Sequence, residues 1–115
     1  MRTKIITIFF LTVFTVLSSY AQSSTVTLSG LIQNKTNKAP LSFVNIILKK
    51  EKDSAFVTGT VSNEEGRFTM PNIASGNYIL QYSYIGFTVK SAPIFLGSLT
   101  SYLNLGVIEL VPDAK

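Results

Sequence analysis

Few side chains in this 115-residue chain are of the types that perform catalysis. The sequence contains no histidine and no cysteine, so it lacks the usual general base near neutral pH, the commonest metal ligand and the thiolate nucleophile. Serines are numerous, but a serine nucleophile needs an activating partner, and these serines fall in stretches typical of exposed strands and turns. We therefore expect no catalytic residues, no cofactor-binding residues and no enzyme activity.

Two adjacent carboxylates, Glu64 and Glu65, follow Asn63 and precede Gly66. Oxygen ligands supplied by a turn suit a hard cation, so a calcium site is one interpretation of this segment. Such a site needs about six or more oxygen ligands, and the sequence has no dense run of aspartates to supply them. The segment is more typical of a solvated β-turn, and we expect no bound metal.

The charge of the chain argues against a nucleic-acid partner. Ten lysines and arginines face six acidic residues, which gives a net charge of +4. Without Arg2 and Lys4 the balance is eight against six, or +2, which is weak for a protein that neutralises phosphates. The three lysines of residues 49–53 alternate with Glu51 and Asp53, a pattern that indicates a solvated strand end.

Residues 1–21 have the organisation of an export signal. Arg2 and Lys4 supply the positive start, residues 5–17 form an apolar run of 13 residues, and Ser19-Tyr20-Ala21 is a small-x-small cleavage site. The apolar run is shorter than the roughly 20 residues of a membrane-spanning helix. We predict a signal peptide at residues 1–21, an exported domain at residues 22–115, and no membrane-spanning segment in the mature chain.

Apolar residues alternate with polar ones through most of the remaining sequence, which is the period of strands with one buried face. No helical period competes with it. The predicted inward positions are Val26, Leu28, Gly30 and Ile32, then Val44, Ile46 and Leu48, then Val57, Gly59 and Val61, then Phe68 and Met70, and then Tyr78, Leu80, Tyr82 and Tyr84. The last of these runs is the clearest strand, and we expect it to be central.

The C-terminal third is less regular. Phe87 and Val89 suggest a further strand, and Pro93 places the following segment at a sheet edge, where a missing N–H is tolerated. The final strand changes phase at Gly106, where a β-bulge would fit. About seven short strands in roughly 100 residues predict an all-β sandwich, with a closed barrel as the main structural rival.

These positions include a set of motifs that resembles a known family, the carboxypeptidase regulatory-like domain. The resemblance covers nearly all of residues 25–110 and rests on Gly30, Pro40-Leu41, Val44-Asn45-Ile46, Ser62-Asn63-Glu64-Glu65-Gly66-Arg67-Phe68, Gly76-Asn77-Tyr78, Leu80 and Tyr84-Ile85-Gly86-Phe87. The family usually has Thr-Asp where this chain has Ser62-Asn63, and asparagine keeps the ability to bond the backbone of its own turn.

The resemblance implies a fold and a context. The fold is a transthyretin-like, Ig-like, seven-stranded antiparallel sandwich. The context is the N-terminus of TonB-dependent receptors and related outer-membrane β-barrel proteins, where the domain is a noncatalytic module. The partners would then be envelope proteins, namely a barrel, a plug or a partner lipoprotein, and the location would be the outer membrane or the periplasm.

Two other functions stay open at the level of sequence. One is a free-standing carbohydrate-binding module, because exposed aromatic rings can stack on sugars; the available rings are Phe43, Phe56, Tyr82, Tyr84, Phe87 and Tyr102. The other is an accessory domain of a carboxypeptidase-like enzyme. Phe43 and Phe56 are out of phase with the core residues of their strands, and with Ile47 they are expected to form an exposed patch that docks a partner.

Overall fold

The computed structural model describes residues 24–113, and the predicted signal peptide lies outside them. The described part is all β, and none of its residues forms a helix long and apolar enough to cross a membrane. Its seven strands are β1 (Thr25–Asn34), β2 (Asn45–Lys50), β3 (Phe56–Val61), β4 (Arg67–Ala74), β5 (Gly76–Ser83), β6 (Lys90–Leu96) and β7 (Tyr102–Leu110).

The strands form two sheets, which confirms the sandwich over the closed barrel. One sheet has the order β4-β1-β7 and the other β3-β2-β5-β6, so β5 is central as predicted. Four of the five strand pairs are antiparallel, but β1 and β7 are parallel. After β6 the chain crosses to the three-stranded sheet and arrives beside the first residues of β1. There the N–H of Thr27 donates a hydrogen bond to the carbonyl of Ser101 at 3.0 Å. β7 therefore starts beside the start of β1 and runs in the same direction.

The core lies between the two sheets and consists of the inward residues of every strand except β3. The predicted phases of β1, β2, β4 and β5 are confirmed, and Tyr84 is half-buried at the edge of the core. The buried apolar residues are Val26, Leu28, Ile32, Leu41, Val44, Ile46, Leu48, Phe68, Met70, Ile73, Tyr78, Leu80, Tyr82, Leu96, Ile108 and Leu110.

The predicted phase of β3 is wrong for most of the strand. Val61 is 51% exposed, Gly59 is also exposed, and Ser62 is fully buried. The reason is a bulge: Leu48 pairs with Thr58 whereas Lys49 pairs with Phe56, which leaves Val57 as an extra residue. An extra residue reverses the alternation beyond it. Val57 still packs against the core, but the residues that follow it do not keep its phase.

The segment before β6 also differs from the prediction. Phe87 lies in a turn and forms an isolated bridge with Pro112, and Val89 is 54% exposed. The strand begins at Lys90, and it is an edge strand that contains Pro93, as expected. The bulge in β7 is confirmed: the register slips opposite β1, and Gly106 has a φ of +75°.

Candidate functional site

The turn that carries Glu64 and Glu65 is held together by an amide side chain. The Oδ1 atom of Asn63 accepts hydrogen bonds from the backbone N–H groups of Glu65 and Arg67, both at 3.0 Å. Gly66 closes the turn with a φ of +80°. Both glutamates are exposed, so the polar group at the centre of the turn serves its own backbone.

No group of metal-binding side chains singles out this turn in the described part of the chain. Within residues 24–113, no three histidine, cysteine, aspartate or glutamate residues are grouped closely enough to hold a metal ion. The expectations that the chain binds no metal and no cofactor, and that it has no catalytic residue, stay predictions.

Ser62 is the one polar residue that the described chain buries completely. Its Oγ donates a hydrogen bond to the carbonyl of Leu41 at 2.7 Å and accepts one from the N–H of Val44 at 2.9 Å. A hydroxyl that both donates and accepts at these distances is satisfied and has no free proton to give up. Ser62 thus fixes the chain that enters β2, and it is not placed to act as a nucleophile.

The strongest charge interaction lies at the C-terminal end of β1 and β7. The carboxylate of Glu109 contacts the ammonium of Lys38 and accepts a hydrogen bond from Gln33 Nε2 at 3.0 Å. The hydrogen bonds from Lys38 and Gln33 hold the pKa of Glu109 below its ordinary value. This group is exposed and tethers the 35–38 loop to β7, a role that is structural.

The six rings that could stack on sugar are not on one surface. Tyr82 is buried, and burial raises its pKa to about 12. Tyr84 and Phe87 pack against each other with ring centroids 5.5 Å apart and are half-buried. Tyr102 is 58% exposed on the three-stranded sheet, where its hydroxyl is 2.7 Å from Ser29 Oγ.

The two remaining rings, Phe43 and Phe56, are exposed as predicted, at 64% and 67%. They do not form one patch, because Phe43 precedes β2 and Phe56 pairs with Lys49 near the other end of that strand. Six residues of strand span roughly 20 Å. Ile47 lies nearer to Phe56: it pairs with Gly59, and the Phe56 ring covers Gly59 at 3.7 Å from the position of a Cβ.

A wider apolar surface extends from Phe56 across the outer face of the four-stranded sheet. Ile47 on β2 lies diagonal to Ile79 on β5, and Ile79 pairs with Pro93 on β6. Phe95 follows two residues later on the same face and is 68% exposed. We call these five residues the apolar stripe. It crosses all four strands, a distance of about 14 Å at the usual strand spacing.

One polar residue, Lys49, lies within the stripe between Phe56 and Ile79, and Ile47, diagonal to Ile79, continues the apolar surface beside it. Lys49 lies in the same row as Phe56 and Ile79, and its ammonium donates to Gln81 Oε1 at 2.9 Å. Its methylene stem therefore lies along apolar neighbours while its charge is directed to the side. The outer face of the other sheet is mainly polar, with Thr27, Ser29, Thr69, Asn104 and Glu109 among its outward residues. The outer face of the four-stranded sheet is thus the more apolar of the two.

Sequence reasoning found only part of the stripe. It predicted a patch of Phe43, Phe56 and Ile47. Phe56 and Ile47 belong to the stripe, but Phe43 does not, and Ile79, Pro93 and Phe95 were missed. The alternation of β5 already places Ile79 on the face of the sheet away from Tyr78 and Leu80, so the sequence did indicate that Ile79 points outward. Joining it to Phe56 required the strand order β3-β2-β5-β6, which alternation does not supply.

Solved structures share the fold at low identity. A 5-hydroxyisourate hydrolase from Klebsiella pneumoniae matches with a TM-score of 0.58 and 20% identity, over 77% of this chain and 92% of that one. The pilus 2b backbone protein of group B streptococcus matches with a TM-score of 0.59 and 14% identity, over 78% and 42%. The major pilin subunit BcpA of Bacillus cereus, as a D312A variant, matches with a TM-score of 0.57 and 17% identity, over 76% and 30%. The chain spans less than half the length of either pilin.

The sequence comparison is more specific than the structural one. A search of curated protein sequences finds no match. A profile of the CarboxypepD_reg-like domain matches residues 28–105, which is most of the chain and nearly all of the sandwich. The match includes the buried Ser62, the Asn63–Gly66 turn and the central strand β5. This chain belongs to the CarboxypepD_reg-like domain family.

Proposed function

We propose that this chain is a noncatalytic docking module of the bacterial cell envelope, exported and located at the outer membrane or in the periplasm. Its place would be the N-terminal domain of a TonB-dependent outer-membrane receptor, where it contacts the plug, the barrel or a partner lipoprotein. Family membership supports a regulatory-type sandwich, and the absence of histidine and cysteine from the sequence supports a role without catalysis.

The observation that carries this proposal is the apolar stripe. Isolated exposed apolar residues are common on soluble proteins, but a contiguous set on one face indicates an interaction surface. Two phenylalanines of the stripe, Phe56 and Phe95, are each about two-thirds exposed. Sheets that are solvated on their outer face carry polar residues there, as the three-stranded sheet of this molecule does.

The size of the stripe favours docking within a larger assembly. Covering the exposed parts of the two phenylalanines removes about 250 Å² of apolar surface, which is worth about 6 kcal/mol. Free association of two proteins costs roughly 4–15 kcal/mol in lost translational and rotational freedom. The stripe is therefore a weak surface for a partner in dilute solution, and a useful one for a domain tethered beside its partner, where the effective concentration is about millimolar.

A first experiment identifies the native species. An antibody against the purified sandwich is used on isolated envelopes to find the protein that contains it, and the intact mass and reading frame of that protein are determined. A large, membrane-embedded species is the expected result. A species of about 10 kDa in the soluble fraction would overturn the receptor assignment and would direct attention to the carbohydrate-binding alternative.

A second experiment tests the stripe in place. A photo-crosslinking amino acid is introduced at Phe56 or Phe95, with Tyr102 on the opposite sheet as the matched control, since all three side chains are 58–68% exposed. Crosslinks from positions 56 and 95 to plug, barrel or lipoprotein sequences are expected. Equal crosslinking from position 102, or none from either stripe position, would contradict docking through this face.

A further inference from the structure

The free edge of β3 lacks the protection that the other edges of this sandwich have. Strands at sheet edges present unpaired N–H and C=O groups, and proteins usually block them with charges, prolines or bulges. The other three edge strands carry such devices, namely Lys90 and Pro93 in β6, Arg67 and Pro71 in β4, and the Gly106 bulge in β7. β3 has a bulge only at its start, and its remaining residues, Thr58–Val61, include no charge and no proline.

The backbone of β3 has groups directed at this free edge. Ser62 bonds on the β2 side, donating to Val44 O at 3.1 Å and accepting from Phe43 N at 2.9 Å. Successive residues of a strand point their backbone groups to alternate sides, so Thr60 also bonds toward β2, and Gly59 and Val61 point away from it. Among residues 24–113, no backbone hydrogen bond outside the strand ladders uses residues 57–61.

The sequence of this strand reads the same in both directions. Residues 57–61 are Val-Thr-Gly-Thr-Val. In an antiparallel pair of two copies centred on Gly59, Thr58 lies opposite Thr60 and Gly59 lies opposite its own copy. The regular pairing ends at Thr58, because the bulge turns Val57 toward the core. We propose that β3 is the edge through which two copies of this chain associate, joining their four-stranded sheets into one sheet of eight strands about a two-fold axis.

The chemistry of the strand fits a second copy better than another occupant. In a two-fold interface a charge near the axis lies close to its own copy, and β3 carries no charge. Threonine pairs across strands are favourable, and glycine leaves the axis free of side chains. Because Gly59 directs its backbone outward, the two copies of Gly59 can exchange both N–H···O bonds. The exposed Phe56 ring lies over Gly59, so the two rings would cover the central pair.

The association is tested by sedimentation equilibrium of the full chain recovered from the envelope. The wild type is expected to show a reversible monomer–dimer equilibrium. Val61→Lys should weaken dimerisation at least about tenfold, because the two-fold axis places the change in the interface twice. Val107→Lys is the matched control, since Val107 is 55% exposed on the outer face of the other sheet's edge strand, against 51% for Val61. It should leave the dimer unchanged.

A crosslinking experiment tests the register. The chain has no cysteine, so a Gly59→Cys variant can form a disulfide only between copies. Two residues opposite each other in a hydrogen-bonded antiparallel pair have Cα atoms about 5.5 Å apart, within the range that a disulfide spans. Mild oxidation should yield a linked dimer faster than in a Leu99→Cys variant, whose cysteine lies in the fully exposed β6–β7 connection. A melting curve checks that each variant is folded, because a Cβ at position 59 would lie 3.3 Å from the carbonyl oxygen of Ile46.

Three results would overturn the proposal. One is a monomeric wild type up to about 1 mM, the concentration that matches the weakest specific associations. Another is equal loss of the dimer in Val61→Lys and Val107→Lys. The third is equal rates of disulfide formation in the folded variants at positions 59 and 99. If Gly59→Cys does not fold, the comparison of the two valine variants decides alone. None of these results depends on which envelope protein contacts the apolar stripe.

Discussion

The buried hydroxyl of Ser62 connects the end of β3 to the segment that enters β2. Its Oγ donates to Leu41 O and accepts from Val44 N–H, and the residue is completely buried. In a Ser62→Ala variant the carbonyl and the N–H lose these partners in a fully buried site. Each buried group left unsatisfied costs about 1–3 kcal/mol, so the loss of two partners should lower the free energy of unfolding by about 2–6 kcal/mol.

This loss is large enough to measure in several ways. For a domain of this size, 1 kcal/mol corresponds to about 4–8 °C in the melting temperature, so a decrease of at least about 8 °C is expected. The chain has no tryptophan but five tyrosines, so urea unfolding is followed by far-ultraviolet circular dichroism and tyrosine fluorescence. The midpoint should fall while the m-value stays constant.

The matched control is Ser91→Ala, because Ser91 is an exposed serine on the edge strand β6. Substitutions of that kind change stability by about 0.5 kcal/mol or less. If Ser62→Ala keeps the fold and loses less than about 1 kcal/mol, the two hydrogen bonds do not hold the entry to β2, and this account of the buried serine is refuted.

Three further predictions concern single groups. Gly66→Ala should destabilise clearly more than Gly86→Ala: both glycines have positive φ, which costs another residue about 1–2 kcal/mol, but a Cβ at Gly66 would also lie 2.5 Å from Ile32 O, and one at Gly86 would meet nothing within 4 Å. Thermal melts compare them, and equal losses would contradict the clash. The pKa of Glu109, measured by NMR, should lie below that of an ordinary glutamate. Since the folded pKa is lowered, its stabilising contribution is present above the unfolded pKa and is lost as the pH falls through the folded pKa, so wild type and Glu109→Gln should converge in acid. Tyr82 should ionise near pH 12 in the native protein. Because its pKa is raised from 10.0, its contribution to stability is complete below pH 10 and is lost as the pH rises to about 12, and a Tyr82→Phe variant should lack that decline.

Much of the fold follows from the sequence because successive residues of a strand point to opposite faces of the sheet. The alternation of apolar residues therefore shows which face is buried. In β1, β2 and β5, one face must be apolar, and a register error would expose the whole set. The bulge at Gly106 was predictable for a related reason, since the apolar phase changes there and glycine accepts the positive φ. The local sequence pattern was sufficient to predict the inward face wherever that face depends only on the strand's own residues.

The sequence predictions are wrong where the orientation or position of a residue depends on a neighbouring strand. The bulge opposite Lys49 reverses β3, and nothing in Phe56–Val61 alone marks Val57 as the extra residue. Phe87 forms an isolated β-bridge with Pro112, which lies 25 positions later in the sequence. The parallel pairing of β1 with β7 likewise depends on where the β6–β7 connection brings the chain back. The apolar stripe has the same origin, because its five residues become neighbours only once the strand order is known.

The apolar stripe and the free edge of β3 are different surfaces of the same sheet: the stripe lies on its outer face, and the edge lies in its plane. Side chains of the stripe project from the face of the sheet, whereas strand addition uses backbone groups that lie in its plane. A second copy joined at β3 would extend the sheet and leave the face at Phe95 open, three strands from the two-fold axis. Docking and self-association are therefore compatible, and Val61→Lys should weaken dimerisation without reducing crosslinks from position 95. Loss of both together would mean that the partner at the stripe contacts the dimer and not the single domain.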